Sequence, residues 1–276
     1  MTDIYIPAIA ASAIDEPISL MVGIQGEPGT GKSASSLTFP NPLPALFDKP
    51  HLKGILSLPH LAEVRPSYLP FYDGEWVKSK FKLAQSAEHK FVDRATAFKK
   101  FLREEGIKLS PAQTLIVDSW SSLQDSFDEV NWAEKKYGKD GKEDVFAYWQ
   151  AKIDYAAEVH TLLKNLQCNV VVLFHEQKER DKATGQLLDK IQPLMQGKYV
   201  TRLKEHYSNF FRQRVREIVG KDGKTIIENG EKKIEYIWQT RSTDKFDAKC
   251  SIPGLPGYIE ANYKNLTVCI TPPNSK

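Results

Sequence analysis

The sequence has few cysteines, no long apolar run and little net charge, and each scarcity removes a class of protein. Its three cysteines, Cys168, Cys250 and Cys269, lie far apart and in no metal-ligand spacing. They offer neither a disulfide framework nor a zinc site, and predict free thiols in a reduced compartment. No apolar stretch approaches the ~20 residues that cross a bilayer. The start, "MTDIYIPAIAASAIDEP", lacks the basic opening and continuous apolar run of a secretory signal. A soluble, cytoplasmic protein without a membrane partner is expected. A formal charge of +3 over 276 residues is too small for the chain as a whole to attract a polyanion. Internal repeats and low-complexity linkers are also missing, and the length suits one large domain with insertions.

What the sequence does contain is a loop suited to phosphate. Within "GIQGEPGTGKSASSL" stands Gly26-x-x-x-x-Gly31-Lys32-Ser33. Backbone N–H groups converge on a phosphate only where no Cβ obstructs the approach or the dihedral angles, and Gly26, Gly29 and Gly31 provide that freedom. Lys32, expected to face solvent, reaches the β and γ phosphates as a point charge. Ser33 suits a magnesium ion, and both residues open a helix whose N-terminus favours anions. The whole cradle is Gly26, Glu27, Pro28, Gly29, Thr30, Gly31, Lys32, Ser33 and Ala34. Its flanks agree: residues 18–24 form an apolar, partly β-branched run typical of a buried parallel strand. After it, "KSASSLTF" makes about two helical turns before Pro40 stops them.

Further along, residues 45–48 predict a short second strand, and the chain to about Phe71 reads as irregular loop. Residues 75–105 read as one helix, with Phe81, Ala84, Phe91, Ala95, Phe98 and Leu102 near helical spacing and Gly106 ending it. Strands follow at 114–118 and 169–174, separated by helices at about 121–137 and 145–166 and the "GKDGKED" turn. The aromatics Trp132, Tyr148, Trp149 and Tyr155 are read as core. The third strong strand delivers His175, Glu176 and Gln177 to the C-terminal edge of the sheet, where open α/β folds bind ligands. Later, Asp222-Gly223 and Asn229-Gly230 are strong hairpin markers, so a β-meander is appended to the parallel sheet.

A phosphate loop of this kind needs a carboxylate at a neighbouring strand end to hold magnesium. Asp118 stands there, either as that acid or as the cap of the helix that follows. The next residue is Ser119 and not glutamate, which favours a RecA-like site over ring-shaped motor ATPases that place their water-activating glutamate at this position.

The modest charge is unevenly distributed. Residues 178–216 hold ten lysines and arginines against four acids, a net +6 within 39 residues that leaves the rest of the chain at −3. Such a run is either a solvated face or the footprint of an anionic polymer.

The ordered set "GEPGTGKS", "LIVDSW", "VVVLFHEQKERDKATGQ", "QPLMQGK" and "TRSTDKFDAKCSIPGLPGYIEANY" resembles phage nucleotide-binding proteins with a RecA-like P-loop ATPase core, including Sak-type single-strand annealing proteins. The similarity runs from about residue 18 to 263. It implies an α/β, RecA-like P-loop NTPase with a mostly parallel central sheet flanked by helices and a C-terminal β-meander. It further implies ATP with Mg2+, single-stranded DNA, a homo-oligomer with composite ATP sites, and a role in phage recombination. A phage or host single-strand-binding protein is a further expected partner, and the host cytoplasm the expected location. Domain limits on this reading are an extension at 1–17, one ATPase domain at 18–270 with an insertion at about 50–110, and a tail at 271–276.

Position by position, residues 26–33 match the phosphate loop and Asp118 the magnesium-associated acid. His175 stands where RecA-like proteins carry a polar γ-phosphate sensor, unless it is a plain strand-end histidine. In "LFDKP" this chain departs from the family: Pro50 replaces the water-activating glutamate of D-x-E, leaving Asp48, with Glu63 or Glu176 as other acids. In "TRSTDKFDAK", Arg241, Lys245 and Lys249 are spaced four apart, and either are solvated charges or supply a lysine to the neighbouring subunit's γ phosphate. Lys249 fits the family pattern best. The basic segment falls where RecA-like proteins carry DNA-binding loops, with Lys178, Arg180, Lys198, Arg202 and Lys204 as phosphate contacts. Tyr199, His206, Tyr207, Phe210 and Phe211 among these cations either stack on bases or, for the two phenylalanines above all, are buried. Two other functions stay open: an assembly factor that binds ATP but hydrolyses little, favoured by Pro50, and a small-molecule P-loop kinase.

Overall fold

The computed structural model describes residues 19–50, 67–82, 93–133, 145–181, 184–195 and 199–270. In chain order the elements are β1 (Met21–Gly26), α1 (Lys32–Ser36), β2 (Pro42–Leu46), α2 (Gly74–Phe81), α3 (Arg94–Glu104), β3 (Thr114–Asp118), α4 (Trp120–Ala133), α5 (Val145–Lys164) and β4 (Asn169–Arg180). They continue with β5 (Leu187–Pro193), α6 (Tyr199–Arg202), β6 (Asn209–Glu217), β7 (Ile227–Glu228), β8 (Glu231–Lys232), β9 (Ile234–Gln239), β10 (Tyr258–Glu260) and α7 (Tyr263–Ile270).

The main sheet has the order β10-β9-β6-β1-β4-β3-β2, with β5 hydrogen-bonded to the far half of β4. From β6 to β2 the strands are parallel, and β9 and β10 join antiparallel. A parallel strand covered on both faces has no polar side, and β1 and β3 are buried at every position. Alternate residues serve two cores. Met21, Val117, Val172, Phe174 and Phe210 face one layer with Phe98, Trp120, Tyr155 and Val159. Val22, Ile24, Ile116, Leu173 and Phe211 face the other with Leu37, Phe39, Trp238 and Leu266. The parallel pairing points all five strands' C-terminal ends the same way, toward one edge.

Several sequence expectations shift. The single helix over 75–105 is two helices among the described residues: Lys82 adopts φ 49 after α2, a left-handed residue that ends the helix, and Asp93 caps α3 by accepting the Thr96 N–H at 2.7 Å. Residues 83–92, with Ala84 and Phe91, lie outside the described residues. The helix after the glycine loop stops at Ser36, because Thr38 and Phe39 donate into tight turns on Ser35 and Ser36. The second strand lies at 42–46, earlier than expected. Its prolines are tolerated because β2 is the outer strand, and the Leu46 N–H on that outer side bonds to the Leu69 carbonyl at 3.0 Å. β4 does not end at Phe174 but runs on to Arg180 and folds back as β5. The first strand expected in the meander is the end of β6, which belongs to the parallel core. The two hairpin markers hold, with Gly223 at φ 76, Asn229 at 53 and Gly230 at 81. Tyr155 is core, whereas Trp149 is exposed and Tyr148 half-buried; the Trp132 side chain is outside the described set. Cys168 and Cys250 are thiols, joined in no disulfide. No described helix is long and apolar enough to cross a membrane.

Candidate functional site

The glycine loop sits on the C-terminal end of β1, at the edge where all the parallel strands end. Gly29 and Gly31 adopt φ 79 and 80, a region closed to most side chains. A Cβ at Gly31 would lie 2.9 Å from the Tyr236 ring, and one at Gly26 would lie 2.7 Å from the Gln213 carbonyl. Glycine at 26 and 31 is therefore required by the packing of β6 and β9 against the loop, in addition to any ligand.

Lys32 does not face solvent as expected. Only 7 % of it is accessible, and its Nζ donates to the Gly26 and Glu27 carbonyls at 2.8 and 2.7 Å, folding the ammonium inside its own loop. Burial pushes its pKa down to about 8, against the opposing pull of Asp118, Glu176 and Glu27. Ser33 Oγ donates to Asp118 Oδ2 at 2.7 Å, so the two residues expected at a magnesium ion, 85 positions apart, are in contact. At the start of α4 the neighbouring Ser119 Oγ accepts the Ser122 N–H at 3.3 Å.

Around this centre, His175 lies in register with Gly26 across the β1–β4 pair and is half-buried. Asp48 follows β2 at the same sheet edge, one residue beyond Phe47, whose N–H donates to the Asp118 carbonyl at 3.1 Å. Pro50 is exposed, and Glu63 is outside the described residues. Glu176, the remaining candidate acid, is held by Arg212 in a bidentate pair, Nε to Oε2 at 3.0 Å and Nη2 to Oε1 at 2.7 Å. Their side chains are 4 % and 13 % accessible, which makes this a buried ion pair bridging β4 and β6 across the end of β1.

A cleft of about 360 Å³ opens between the loop residues 27–30, this ion pair and Gln213, Arg214 and Val215 of β6. The Gln213 side chain is fixed behind the loop: its Oε1 accepts from Ser35 Oγ at 2.9 Å and Trp238 Nε1 at 2.6 Å. Val215 and Tyr236 stand directly opposite each other on β6 and β9, both exposed, and the Tyr236 ring lies next to Gly31. They form an apolar step beside the cleft. Sequence reasoning missed Arg212 as Glu176's partner, and it missed Gln213, Val215 and Tyr236. All act through pairing of strands far apart in the chain, for which local pattern carries no signal.

The family model of AAA_24, an AAA domain, matches residues 18–252. The chain belongs to the AAA domain family. No curated protein matches it. Among solved structures, this AAA domain is similar at 13% identity to a prototypical ATPase from the type III secretion system of pathogenic bacteria, with a TM-score of 0.37. That match covers 74% of this chain and 51% of the other, so the AAA domain spans about half the length of that protein. It is also similar to the flagellar accessory protein FlaH from Methanocaldococcus jannaschii (13% identity, 84% and 80% covered, TM-score 0.35). A third is the KaiC-like protein PH0186 from Pyrococcus horikoshii OT3 (15% identity, 83% and 84% covered, TM-score 0.37). The expected architecture holds for the AAA domain: an α/β fold, a mostly parallel central sheet with helices, and added C-terminal strands.

The other candidate residues of the AAA domain lie apart from the loop. Lys245 forms an ion pair with Asp189 of β5, and Lys249 donates to the Lys204 carbonyl at 3.2 Å while its backbone pairs with Phe210. The basic segment is not one loop. It is divided among the end of β4, β5, α6 and β6, because β6 is a core strand that carries the chain back through the sheet. Its net +6 is also reduced by acids from elsewhere in the chain: Asp247 binds both Lys190 and Lys204, and Glu235 binds Arg216. Arg202 pairs with Glu205, while Lys178 and Arg180 are exposed on β4 and Lys198 is outside the described residues. Tyr199, Tyr207 and Phe210 are buried in one core and Phe211 in the other, on the opposite face of the sheet, so none of the four has a ring face open to a base in this conformation.

Proposed function

We propose that this AAA domain binds and hydrolyses ATP with Mg2+, and that nucleotide state sets its affinity for single-stranded DNA in a phage recombination or annealing role. The observation that carries the nucleotide half is the Ser33–Asp118 hydrogen bond at 2.7 Å beneath a loop whose Gly29 and Gly31 are left-handed. A hydroxyl and a carboxylate held together are the protein's share of a magnesium site that phosphate oxygens complete. Residues 26–34 would hold the phosphates, Lys32 would turn its ammonium from two carbonyls to them, and the Val215–Tyr236 step would take the base. Magnesium, when bound, neutralises charge building on the transferred phosphoryl group. His175, in register with Gly26 on β4, would carry the state of the loop into the β4–β5 hairpin.

The test is the ATP turnover rate with and without single-stranded DNA. Asp118→Asn should lower magnesium-dependent turnover by about 100-fold, a loss of ~2.7 kcal/mol in the transition state, while changing nucleotide affinity far less. Equal turnover across a magnesium titration would remove Asp118 from the site.

Support for DNA comes from the exposed Lys178 and Arg180 on the hairpin that continues the β4 strand. Replacing both with alanine should flatten the log–log salt dependence of single-strand binding by about 1.4, ~0.7 for each phosphate that the variant no longer neutralises. An unchanged slope would make the hairpin an ordinary solvated face. We further propose a homo-oligomer in which Lys249 or Lys245 reaches the neighbour's nucleotide.

A second reading, an assembly factor that binds ATP and hydrolyses little, is favoured by the acids. Pro50 stands at the expected glutamate, and Glu176 is engaged by Arg212. Tight ATP binding with negligible turnover, unaffected by DNA, would decide for it.

A further inference from the structure

β1 ends before its neighbour does. Its pairing with β6 stops at Gln25 and Arg212, whereas β6 continues to Glu217 against β9. In an antiparallel pair, successive residues alternate between bonding the partner strand and facing away from it. On β6 the even-numbered residues bond on the side away from β1: Phe210 donates to the Lys249 carbonyl at 2.7 Å and accepts its N–H at 3.0 Å, and just past the strand Ile218 donates to the Lys233 carbonyl at 2.9 Å. The odd-numbered residues face β1, and the Gln213 carbonyl lies 2.7 Å from where a Cβ on Gly26 would stand. Two residues on, at Val215, β1 has ended. The N–H and C=O of Val215 therefore point into the cleft beside the glycine loop, and among the described residues they form no hydrogen bond. A strand edge open in this way offers a donor and an acceptor to a partner.

Beyond Gly26 only Val215 and the N–H of Glu217 remain on this edge, too few for another strand to pair with. The cleft, at about 360 Å³, has the size of a small-ligand site. A flat group with a donor beside an acceptor matches the edge of one extended residue, and adenine is such a group, its amino nitrogen standing next to a ring nitrogen that accepts. The Val215 side chain and the Tyr236 ring, on one face of the sheet, supply apolar surface beside it. We propose that Val215 reads an adenine base, its carbonyl accepting from the exocyclic amino group and its N–H donating to the neighbouring ring nitrogen. The surroundings select against guanine, whose own amino group needs a further acceptor. Arg214 and Arg216 on either side are donors only, Glu217 is bound to Lys232 and Thr225, and Glu176 is bound to Arg212. The inference rests on the nucleotide reading above and adds to it the atoms that choose the base.

The test measures binding to the full chain with Mg2+ by titration calorimetry. ATP should bind about fivefold tighter than purine riboside triphosphate, which lacks only adenine's amino group, and tighter than GTP. Val215→Pro removes the N–H but takes nothing from the ladder with β9, so it should lower the ratio of ATP affinity to inorganic tripolyphosphate affinity by about fivefold. The wild-type comparison needs no variant, so a proline chain that fails to fold leaves it intact. Equal affinities for ATP and purine riboside triphosphate, or an unchanged tripolyphosphate ratio in a folded variant, would overturn the adenine contact and leave the phosphate loop standing. GTP binding tighter than ATP would overturn it as well and reassign the edge to guanine. Absence of binding by ATP and by tripolyphosphate alike would overturn the nucleotide reading along with it.

Discussion

Lys32→Met is expected to weaken nucleotide binding strongly and yet raise the melting temperature. The wild-type ammonium is buried on two carbonyls with a pKa near 8, against 10.5 for the free side chain. That shift corresponds to about 3 kcal/mol of native-state penalty at neutral pH, an upper figure because the two carbonyl bonds are lost with it. Methionine keeps the stem's packing without the charge, so a rise of a few degrees is expected. The pH dependence has a definite sign. Between about pH 8 and 10.5 the unfolded chain holds a proton on Lys32 that the folded chain has released, so wild-type stability rises with pH through that window. The methionine variant lacks this group, and the gap between the two melting curves should narrow as pH rises from 7 to 10. A phosphate would keep the ammonium charged, so wild-type affinity for ATP should decline above about pH 8. Loss of the charge–phosphate bond should weaken binding by ~100-fold or more. Wild-type affinity in the variant would remove the nucleotide reading, and a constant gap between the curves would show that Lys32 is not titrating in that window.

Arg212→Ala is expected to be the most destabilising single change at the site. It removes the bidentate partner of the Glu176 carboxylate, whose side chain is 4 % accessible in the intact pair, and breaking a buried pair from one side costs about 3–5 kcal/mol. Replacing both partners with apolar residues of similar volume, as in Glu176→Leu with Arg212→Met, removes both buried charges and should recover most of that loss. Denaturant unfolding of the wild type, the two single variants and the double variant gives the coupling directly. If Arg212→Ala lies within about 1 kcal/mol of the wild type, the pair is solvated and does not brace β4 against β6. The double variant should fold and still turn over ATP poorly, because the pair walls the cleft beside the loop.

How legible these features are depends on how local their causes are. The loop, Asp118 and the three buried strands are written in short runs: glycines where backbone must curve, β-branched residues where both faces are covered, an acid at a strand end. Ser33 meeting Asp118 follows once β1 and β3 are recognised as near neighbours. The helix at 75–105 is over-extended in the sequence reading because apolar spacing continues through Lys82, whose left-handed turn leaves no mark on periodicity. The basic segment misleads for a different reason. Counting charge along 178–216 leaves out Asp247 and Glu235, acids distant in sequence that lie against its lysines and arginines. The same blindness hides Arg212 on Glu176, 36 residues away. Burial of Lys32 is also invisible, since a phosphate-loop lysine and a self-bonded one have the same sequence.

The outer side of β2 limits how copies of this chain meet. Positions 42, 44 and 46 point their backbone nitrogens away from β3; two are prolines with no hydrogen to give, and the third is committed to Leu69. A strand from another molecule finds no ladder of donors there, so the sheet cannot be continued into a neighbour along this border. A neighbour on this flank would have to be met through loops and side chains instead. At high concentration the protein should resist stacking into cross-β fibres from this border, the hazard that a long parallel sheet ordinarily carries.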